Sequence, residues 1–350
     1  MESPRWTQRP KGSTWGDFGA EDQIGRLNLL TAQRRLAALA EVRTGESFCL
    51  SLPLDYPGGT LLNENRHPPI LRPCLRHGEV NMNYEMHQRN PLSVDVLSDD
   101  LAILHLQYST QWDGLSHVGA LFDVYGDGEP VAVYYNGFRA GEHVQAPQRV
   151  ADCGSDTRGN MQSTCGAQAL GIERMAETAV QGRGVLIDLH HHLGNQRTVV
   201  DMRLLREIMA ADGVSVHTGD MLCLHTGFSQ LLLDMKKDPD PQILHNSCAV
   251  LDGNDSELQD WITQSGVAVI AADNYAVEDF PADLPNPCCS ILPLHHHCLF
   301  KLGVHLGELW YLTPLAKQLR AQGRNRFLLT APPLRLPGAV GSPVTPVATL

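Results

Sequence analysis

The feature that most constrains the fold is a series of short apolar segments that alternate with helical patterns and frequent turns. The segments predicted to be strands are residues 47–54, 101–107, 184–189, 221–224, 267–272 and 326–329. A helix is predicted over about 201–211, where Leu204, Leu205 and Ile208 share one face. Another is predicted after Thr31, which can cap it. This alternation predicts a mixed α/β domain, and no Gly-rich phosphate loop follows any strand to indicate nucleotide binding.

Composition indicates a globular protein and argues against several classes of partner. Hydrophobic residues make up 43% of the 350 residues and charged residues 19%, which is enough apolar material for a substantial core. The net charge is −12 and the basic residues are scattered, so we expect no nucleic-acid partner. Since there is no apolar stretch of about 18 residues, we predict no membrane span.

The cysteines and the N-terminus bear on the compartment. The chain has nine cysteines and no Cys-x-x-Cys pair, so we interpret them as reduced thiols in a cytoplasmic protein. The first residues are polar and lack an apolar core of signal-peptide length.

The chain is predicted to have one main unit with irregular ends, although its length would also permit two domains. We expect residues 1–13 to be a flexible lead, residues 14–331 to be a single catalytic domain, and residues 332–350 to be a Pro-rich, irregular tail. Within the main unit, Pro57 to Asn90 is rich in Gly, Pro, Asn and His and is predicted to be a long loop. Such loops in compact enzymes often form lids or binding loops.

The segment from Gln107 to His117 carries the most informative polar side chains. Gln107, Gln111, Asp113 and His117 all follow a predicted apolar strand. Asp113 is a hard anionic ligand, and His117 is either a metal ligand or a general base, whereas Gln offers only a neutral carbonyl oxygen. Judged alone, the segment also fits an ordinary polar strand end with an Asp-Gly turn.

Two histidine tracts provide further metal-binding candidates. His295, His296 and His297 precede Glu308, a combination suggestive of metal binding, although a surface histidine run would look the same. If the tract is a strand, His295 and His297 share one face and His296 takes the other. The tract His190–His192 could line the same cavity or form an exposed turn.

Taken together, these motifs resemble the cyclase superfamily, which includes kynurenine formamidase and isatin hydrolase. The resemblance extends over about residues 14–315. The matching segments, in order, are 15–16, 25–31, 107–117, 184–188, 219–228, 271–278, 296–297 and 308–309. It implies a mixed β/β/α swivelling domain of the α/β class around a small barrel-like sheet, and a homodimer or homotetramer.

The resemblance also implies a set of site residues. The signature of the family is His-x-x-x-His-x-Asp-x-x-x-His, and here Gln107 and Gln111 stand at its two metal-binding histidines. Asp113 matches the metal-binding aspartate, and His117 matches the histidine that acts in acid–base catalysis. The implied metal ligands are Asp113, His296, Glu308 and Gln111. The implied substrate contacts are Gln107, Trp112 and His297. With two oxygen ligands and one nitrogen retained, we expect one divalent ion, Mn or Zn.

Members of this family hydrolyse formamides, cyclic amides, cyclic imides or lactones, which implies attack of metal-activated water on an acyl carbon. We therefore expect a metal-dependent hydrolase that acts on a small, aromatic or cyclic metabolite. A metal-assisted lyase or cyclase, and a non-catalytic binding protein on a degenerate site, remain as alternatives. The chain lacks the Gly-x-Ser-x-Gly elbow of serine hydrolases. A cysteine nucleophile at Cys288 or Cys289 would lie in an unremarkable Pro-rich stretch.

Overall fold

The computed structural model describes residues 4–154, 162–281 and 290–350. Its strands are β1 (Ser47–Cys49), β2 (Ile70–Pro73), β3 (Leu75–Arg76), β4 (Glu79–Val80), β5 (Tyr84–Glu85), β6 (Val96–Leu97), β7 (Asp100–Ile103), β8 (Gln111–Asp113), β9 (Ala120–Phe122), β10 (Val131–Val133), β11 (Val144–Gln145), β12 (Gly166–Ala167), β13 (Gln181–Asp188), β14 (Thr198–Val200), β15 (Met221–His225), β16 (Ala249–Leu251), β17 (Val269–Ala272), β18 (His305–Glu308), β19 (Arg326–Thr330), β20 (Gly341–Pro343) and β21 (Val347–Thr349). Its α-helices are α1 (Ala32–Leu39), α2 (Ile172–Glu177), α3 (Leu189–Leu193), α4 (Met202–Ala211), α5 (Phe228–Asp234), α6 (Pro241–His245), α7 (Ser256–Ser265), α8 (Pro293–His295) and α9 (Thr313–Ala321). A π-helix spans His296–Leu302, and 3₁₀ turns span Gly25–Leu29, Met86–Gln88, Tyr135–Gly137 and Val150–Asp152.

One nine-stranded mixed sheet forms the centre of the protein. Its strand order is β1-β21-β19-β13-β15-β17-β18-β8-β20. β13, β15, β17 and β18 are parallel, and the strands on either side of them are antiparallel. β15 and β17, in the middle of the parallel set, are buried on both faces, which explains why their sequences are nearly continuous apolar runs. Each strand predicted from the sequence overlaps an observed strand, although 101–107 overlaps β7, which lies in a separate two-stranded ribbon.

The sheet curls until its two edges approach each other. β20 pairs with β8 at one edge, whereas β21 pairs with β19 and β1 at the other. Only residues 344–346 separate β20 from β21, and so short a connection spans about 14 Å at most. The two edges must therefore lie close together, and the expected mixed α/β fold with a small barrel-like sheet is confirmed.

The C-terminal residues are part of this sheet, so the prediction of an irregular tail over 332–350 is wrong. Pro343 lies in β20, at the edge of the sheet, where its missing N–H costs no ladder bond. The N–H of Val344 donates to the carbonyl of Thr110 at 3.2 Å, and the N–H of Leu350 donates to that of Glu46 at 2.9 Å. The proline content of this segment favoured an irregular prediction, although the segment contains the two short strands β20 and β21.

Two apolar cores lie on opposite faces of the sheet. Within β15, Leu222 and Leu224 belong to one core and Met221 and Cys223 to the other, as side-chain alternation along a strand requires. The first core includes the apolar faces of α4 and α7. The second includes the buried tryptophans Trp112 and Trp310.

The N-terminal segment packs against the body of the protein, which corrects the expectation of a flexible lead over residues 1–13. The Trp6 ring lies 6.0 Å from that of Trp15. The backbone N–H groups of Thr7 and Gln8 donate to the carbonyl of Val124 at 2.8 and 3.1 Å. Residues 1–3 lie outside the described residues.

The predicted long loop, 57–90, is only partly a loop. β2 pairs with β7, β3 with β4, and β5 with β6, so that residues 70–103 form a set of short two-stranded ribbons. Their surface carries exposed apolar side chains, among them Leu71, Leu75, Leu92 and Val94. The residues before these ribbons, 57–69, have no regular structure.

Both helices predicted from the sequence are confirmed. The Thr31 side chain accepts the N–H of Arg34 at the start of α1. The carboxylate of Asp201 accepts the N–H of Leu204 at the start of α4. Among the residues that the structure describes, no helix has the length and apolar character needed to cross a membrane.

Candidate metal centre

Strand β8 brings two polar side chains to one side of the sheet. In the pairing of β8 with β18, Gln111 lies opposite Glu308 and Asp113 lies opposite Leu306. Because side chains alternate along a strand, Gln111 and Asp113 share the side that carries Glu308, and Trp112 takes the other side. The pairing thus brings an amide and two carboxylates together.

Trp112, expected to contact substrate, is a core residue. It is fully buried, and its ring centroid lies 4.9 Å from that of Trp310. Its indole N–H donates to the carbonyl of Ala331 at 2.8 Å. The strand alternation that brings Asp113 into the site turns Trp112 away from it.

Asp113, His295 and Glu308 form a buried cluster with the geometry of a metal site. One ligand atom from each lies within 4.8 Å of the others. His295 Nε2 is 3.2 Å from Glu308 Oε1 and 3.9 Å from Asp113 Oδ2. Of the residues described, only this group meets these conditions.

The histidine in the cluster is His295, not His296 as the resemblance implied. The tract is helical, with α8 ending at His295 and the π-helix following, so the alternation of a strand does not apply. The His296 ring packs on Phe300 with centroids 4.9 Å apart. His297 Nε2 lies 2.9 Å from Thr263 Oγ1. Neither of these two imidazoles joins the cluster. His297 was expected to contact substrate, but its ring contacts Thr263 instead.

Glu278 supports His295 from behind. Its Oε1 lies 2.7 Å from His295 Nδ1 and accepts the backbone N–H of the same residue at 2.9 Å, while Oε2 accepts the N–H of Leu294 at 2.7 Å. Glu278 and His295 are both buried. A carboxylate behind a metal-binding histidine is a common arrangement, because it orients the ring and makes the free nitrogen more basic.

Gln111 faces the cluster as well. Its Nε2 lies 3.1 Å from Asp113 Oδ1 and 3.4 Å from Glu308 Oε2. Gln111 Oε1 and Asp113 Oδ2 are both buried without a hydrogen-bond partner. Buried polar atoms without partners are unusual and call for an explanation such as a bound ion. Turning the Gln111 amide over would direct its oxygen to such an ion.

The charges of the cluster also fit a cation. Burial raises the pKa of Asp113, and the nearby Glu308 charge raises it further. Burial opposes ionisation of Glu308, but the hydrogen bond and charge of His295 outweigh it and hold the pKa of Glu308 below its usual value. Glu278 and Glu308 overcome burial and raise the pKa of His295 to about 10. Three buried carboxylates thus surround one imidazole, an excess of negative charge that a divalent ion would balance.

His117 lies where the cluster opens to solvent. Its Nε2 is 3.7 Å from Asp113 Oδ1, and its side chain is 22% exposed. It lines a cleft of about 50 Å³ together with Arg66, Tyr275, Phe280, His295 and Glu308. A proton acceptor at this position can exchange protons with a molecule in the cleft.

Among the described residues, no hydrogen bond links the Gln107 side chain to the cluster, whereas the Gln111 side chain forms two. Its side-chain nitrogen lies close to Gly341 of β20, where a Cβ atom would stand 2.5 Å from it. Its backbone carbonyl accepts a hydrogen bond from Arg66 Nη1 at 2.7 Å. The two glutamines that replace the histidines of the signature are therefore in different environments.

The other candidates from the sequence lie elsewhere. His190 Nε2 is 2.8 Å from Asn195 Oδ1, and His192 Nε2 is 2.9 Å from Asp212 Oδ1, on and around α3. Cys288 and Cys289 lie outside the described residues.

Sequence reasoning missed three residues that matter here. Pro293 is a common first residue of a helix and would have indicated that His295 ends a helical turn. Glu278 stands in a segment that resembles the family, yet it was given no role. Arg66 stands in a Gly- and Pro-rich stretch, and no motif or spacing there indicated a functional role for it.

Comparisons with known proteins agree with this fold. The sequence model of the cyclase family matches residues 50–279. A crystal structure described as a novel cyclase is 31% identical, with 97% of each chain covered and a TM-score of 0.70. Isatin hydrolase A from Labrenzia aggregata has 12% identity, 91% of this chain and 98% of the other covered, and a TM-score of 0.54. Isatin hydrolase A from Ralstonia solanacearum has 14% identity, 91% of this chain and 97% of the other covered, and a TM-score of 0.52. No curated protein matches the chain.

The two isatin hydrolases share the fold at low identity, whereas the cyclase crystal structure is related to this chain over nearly its whole length. The family match covers both the β8 segment with Asp113 and the turn with Glu278. This chain belongs to the cyclase family.

Proposed function

We propose that this protein is a metal-dependent hydrolase that cleaves an acyl C–N or C–O bond in a small aromatic or cyclic compound, such as a cyclic amide, a formamide or a lactone. The observation that carries the proposal is the buried cluster of Asp113, His295 and Glu308 beside the open side chain of His117. The isatin hydrolases with a similar fold are hydrolases by name, which is consistent with it.

One divalent ion, Mn or Zn, would be held by Asp113, His295 and Glu308, with Gln111 able to contribute its amide oxygen. Two carboxylates and one imidazole suit either ion. When bound, such an ion lowers the pKa of a coordinated water and polarises an acyl oxygen.

His117 is the proposed proton carrier. It is the only cluster neighbour with a partly exposed imidazole among the described residues that line the cleft. It would take a proton from the attacking water and return it to the leaving nitrogen or oxygen. Asp113, 3.7 Å from its Nε2, would stabilise the imidazolium in the interval.

Metal analysis and an activity panel test this function. We expect the untreated protein to contain close to one equivalent of Mn or Zn, to lose hydrolysis of lactones, formamides or cyclic amides on chelation, and to regain it on reloading. Metal content below a tenth of an equivalent after supplementation would refute the proposal. Metal binding with proton exchange or elimination but no hydrolysis would favour a metal-assisted lyase or cyclase. Metal binding without turnover would favour a non-catalytic binding protein.

We also propose that the chain forms a homodimer or homotetramer. The exposed apolar side chains on the ribbons of residues 70–103 support it, because an interface between copies of the chain would remove them from water. Light scattering of the wild type beside Leu75→Glu and Val94→Glu variants tests it. Unchanged mass, or a monomeric wild type, would contradict this surface as the interface.

A further inference from the structure

We infer that the substrate carries an anionic group next to an apolar ring, and that Arg66 selects this group. The inference rests on the proposed function, because it concerns the same cleft. It follows from the position of Arg66, from the lack of an ion-pair partner for its guanidinium within the described residues and from a largely apolar cavity that adjoins the cleft.

Arg66 is positioned by the irregular segment 57–69. Its Nη1 donates to the carbonyl of Gln107 at 2.7 Å, and its side chain lines the cleft beside His117 and Glu308. The segment is anchored at its start by Tyr108, whose hydroxyl accepts the N–H of Gly58 at 3.0 Å and donates to the carbonyl of Gly59 at 2.9 Å. The guanidinium is thus held at the mouth of the site by neighbouring backbone.

The charge of Arg66 has no dedicated partner. Within the described residues its guanidinium forms no ion pair, and its one protein hydrogen bond is to a neutral carbonyl. In the loaded site, a divalent ion would balance Asp113 and Glu308, and His295 would be neutral because only a deprotonated ring nitrogen binds a metal. The guanidinium N–H groups of Arg66 that do not bond Gln107 have no other partner among the described residues, so they can donate to an anion at the mouth of the cleft. A charged hydrogen bond of this kind is stronger and more selective than a neutral one.

An apolar cavity of about 120 Å³ adjoins the cleft. Tyr275 and Phe280 line both spaces. The other apolar side chains of the cavity are Leu62, Phe228, Leu244, Val250 and Pro281, and polar side chains such as Ser247 and Asn274 complete the lining. A closed cavity of about 150 Å³ binds benzene, and this somewhat smaller cavity shares two aromatic side chains with the cleft, so together the two spaces have the size of one ring with a substituent.

The second guanidinium at this cavity differs from Arg66. Arg197 also lines it, but its Nη2 pairs with the carboxylate of Asp279. The cavity therefore offers apolar surface, a paired guanidinium and the carboxylate of Glu278, which is already bonded to His295, while the unpaired guanidinium of Arg66 lies on the side of the metal centre. A substrate with its ring in the cavity and its anionic group towards Arg66 would place the bonds between them in the cleft.

Binding of two matched probes tests the inference without turnover. Benzenesulfonate and methyl phenyl sulfone share a ring and differ in charge, and a sulfonate is a weak metal ligand. By calorimetry on the metal-loaded protein, we expect benzenesulfonate to bind the wild type more tightly than the sulfone. Arg66→Gln should weaken benzenesulfonate by about 10- to 100-fold and leave the sulfone nearly unchanged. Arg66→Lys should restore part of the loss.

Arg206→Gln is the matched control, because Arg206 is an exposed arginine on α4 that pairs with Glu257. It should bind both probes as the wild type does. Equal binding of the two probes to the wild type, or an equal loss of both in Arg66→Gln, would overturn the inference. The second result would mean that Arg66 shapes the cleft or acts on the acyl oxygen.

Turnover of a matched pair separates this inference from the proposed function. With 3-acetoxybenzoate and phenyl acetate, we expect kcat/KM to favour the anionic ester in the wild type and to lose that preference in Arg66→Gln. Probe selectivity without hydrolysis of any panel compound would refute the hydrolase and retain the anion site. Hydrolysis of both esters with no preference in either protein would retain the hydrolase and refute the anion site.

Discussion

The Nδ1 atom of His295 lies 2.7 Å from Oε1 of Glu278, and that same oxygen accepts the backbone N–H of His295. One carboxylate thus fixes both the backbone and the ring of this residue. With Nδ1 occupied, only Nε2 is free to face Asp113 and Glu308. Glu278 therefore determines which ring nitrogen of His295 is available to bind a metal.

Replacing this carboxylate should weaken metal binding without removing a ligand. Glu278→Gln takes away the charge behind the ring, and loss of such a partner typically costs about 10- to 100-fold in metal affinity. A zinc or manganese titration monitored by calorimetry measures the effect. Asp279→Asn is the control, since Asp279 pairs with Arg197 at the neighbouring position. Affinity equal to the wild type in Glu278→Gln would mean that His295 needs no orienting partner.

Two adjacent histidines should behave very differently. His295→Ala removes a ligand, so metal affinity should fall by more than the roughly 10- to 100-fold expected for an outer partner. His296→Ala should leave it unchanged, because His296 packs on Phe300 and not on the cluster. Elemental analysis of the two purified variants, with circular dichroism to confirm folding, decides the matter. The opposite pattern would restore the ligand set that the sequence resemblance implied.

The two glutamines should also differ. Gln111→His puts an imidazole where an amide now faces both carboxylates, and imidazole binds zinc more tightly than a neutral amide oxygen. Zinc affinity or stoichiometry should therefore rise, by about 10-fold or more in affinity. Gln107→His should change neither, because its side chain lies against Gly341. Parallel zinc titrations test both, and equal affinities in the wild type and Gln111→His would place Gln111 outside the metal site.

His117→Ala should separate catalysis from metal binding. The loss of a general base typically lowers kcat by about 10²- to 10⁴-fold, while metal content should stay near that of the wild type. His143→Ala serves as a control at a partly exposed histidine outside the cleft. If the metal disappears together with the activity, His117 is a ligand and its proposed role is wrong.

Much of the fold could be predicted from the sequence because local patterns determine it. The central parallel strands β15 and β17 are nearly continuous apolar runs, and α4 shows its apolar face and its Asp201 cap directly. The strand β20 could not be predicted in this way. It is held by pairing with β8, more than 200 positions earlier in the chain, and its own proline-rich sequence favours irregular structure.

The candidate site, like the fold, could be predicted from the sequence only in part. Asp113 and Glu308 were identified by resemblance, and the β8–β18 register confirms that they lie together. The choice between His295 and His296 depends on whether the tract is helix or strand, and three consecutive histidines carry no periodicity that could decide it. Arg66 reaches the cleft through a loop whose path is set by tertiary contacts such as those of Tyr108.

Buried neutral histidine should make the protein sensitive to acid. Burial lowers the pKa of His305, in β18, to about 3, whereas an unfolded histidine has a pKa of about 6.5. Between these two values the unfolded state binds the proton and the folded state does not, so stability is lost as the pH falls below about 6.5. At pH 5 this one residue should cost about 2 kcal/mol of folding free energy.

Urea unfolding of the metal-loaded wild type and of His305→Leu at pH 7.5 and pH 5 measures this loss of stability. The variant should lose less stability on acidification, and His87→Gln, at an exposed position, should lose as much as the wild type. An equal loss in all three proteins would show that His305 is protonated in the folded state or is not buried.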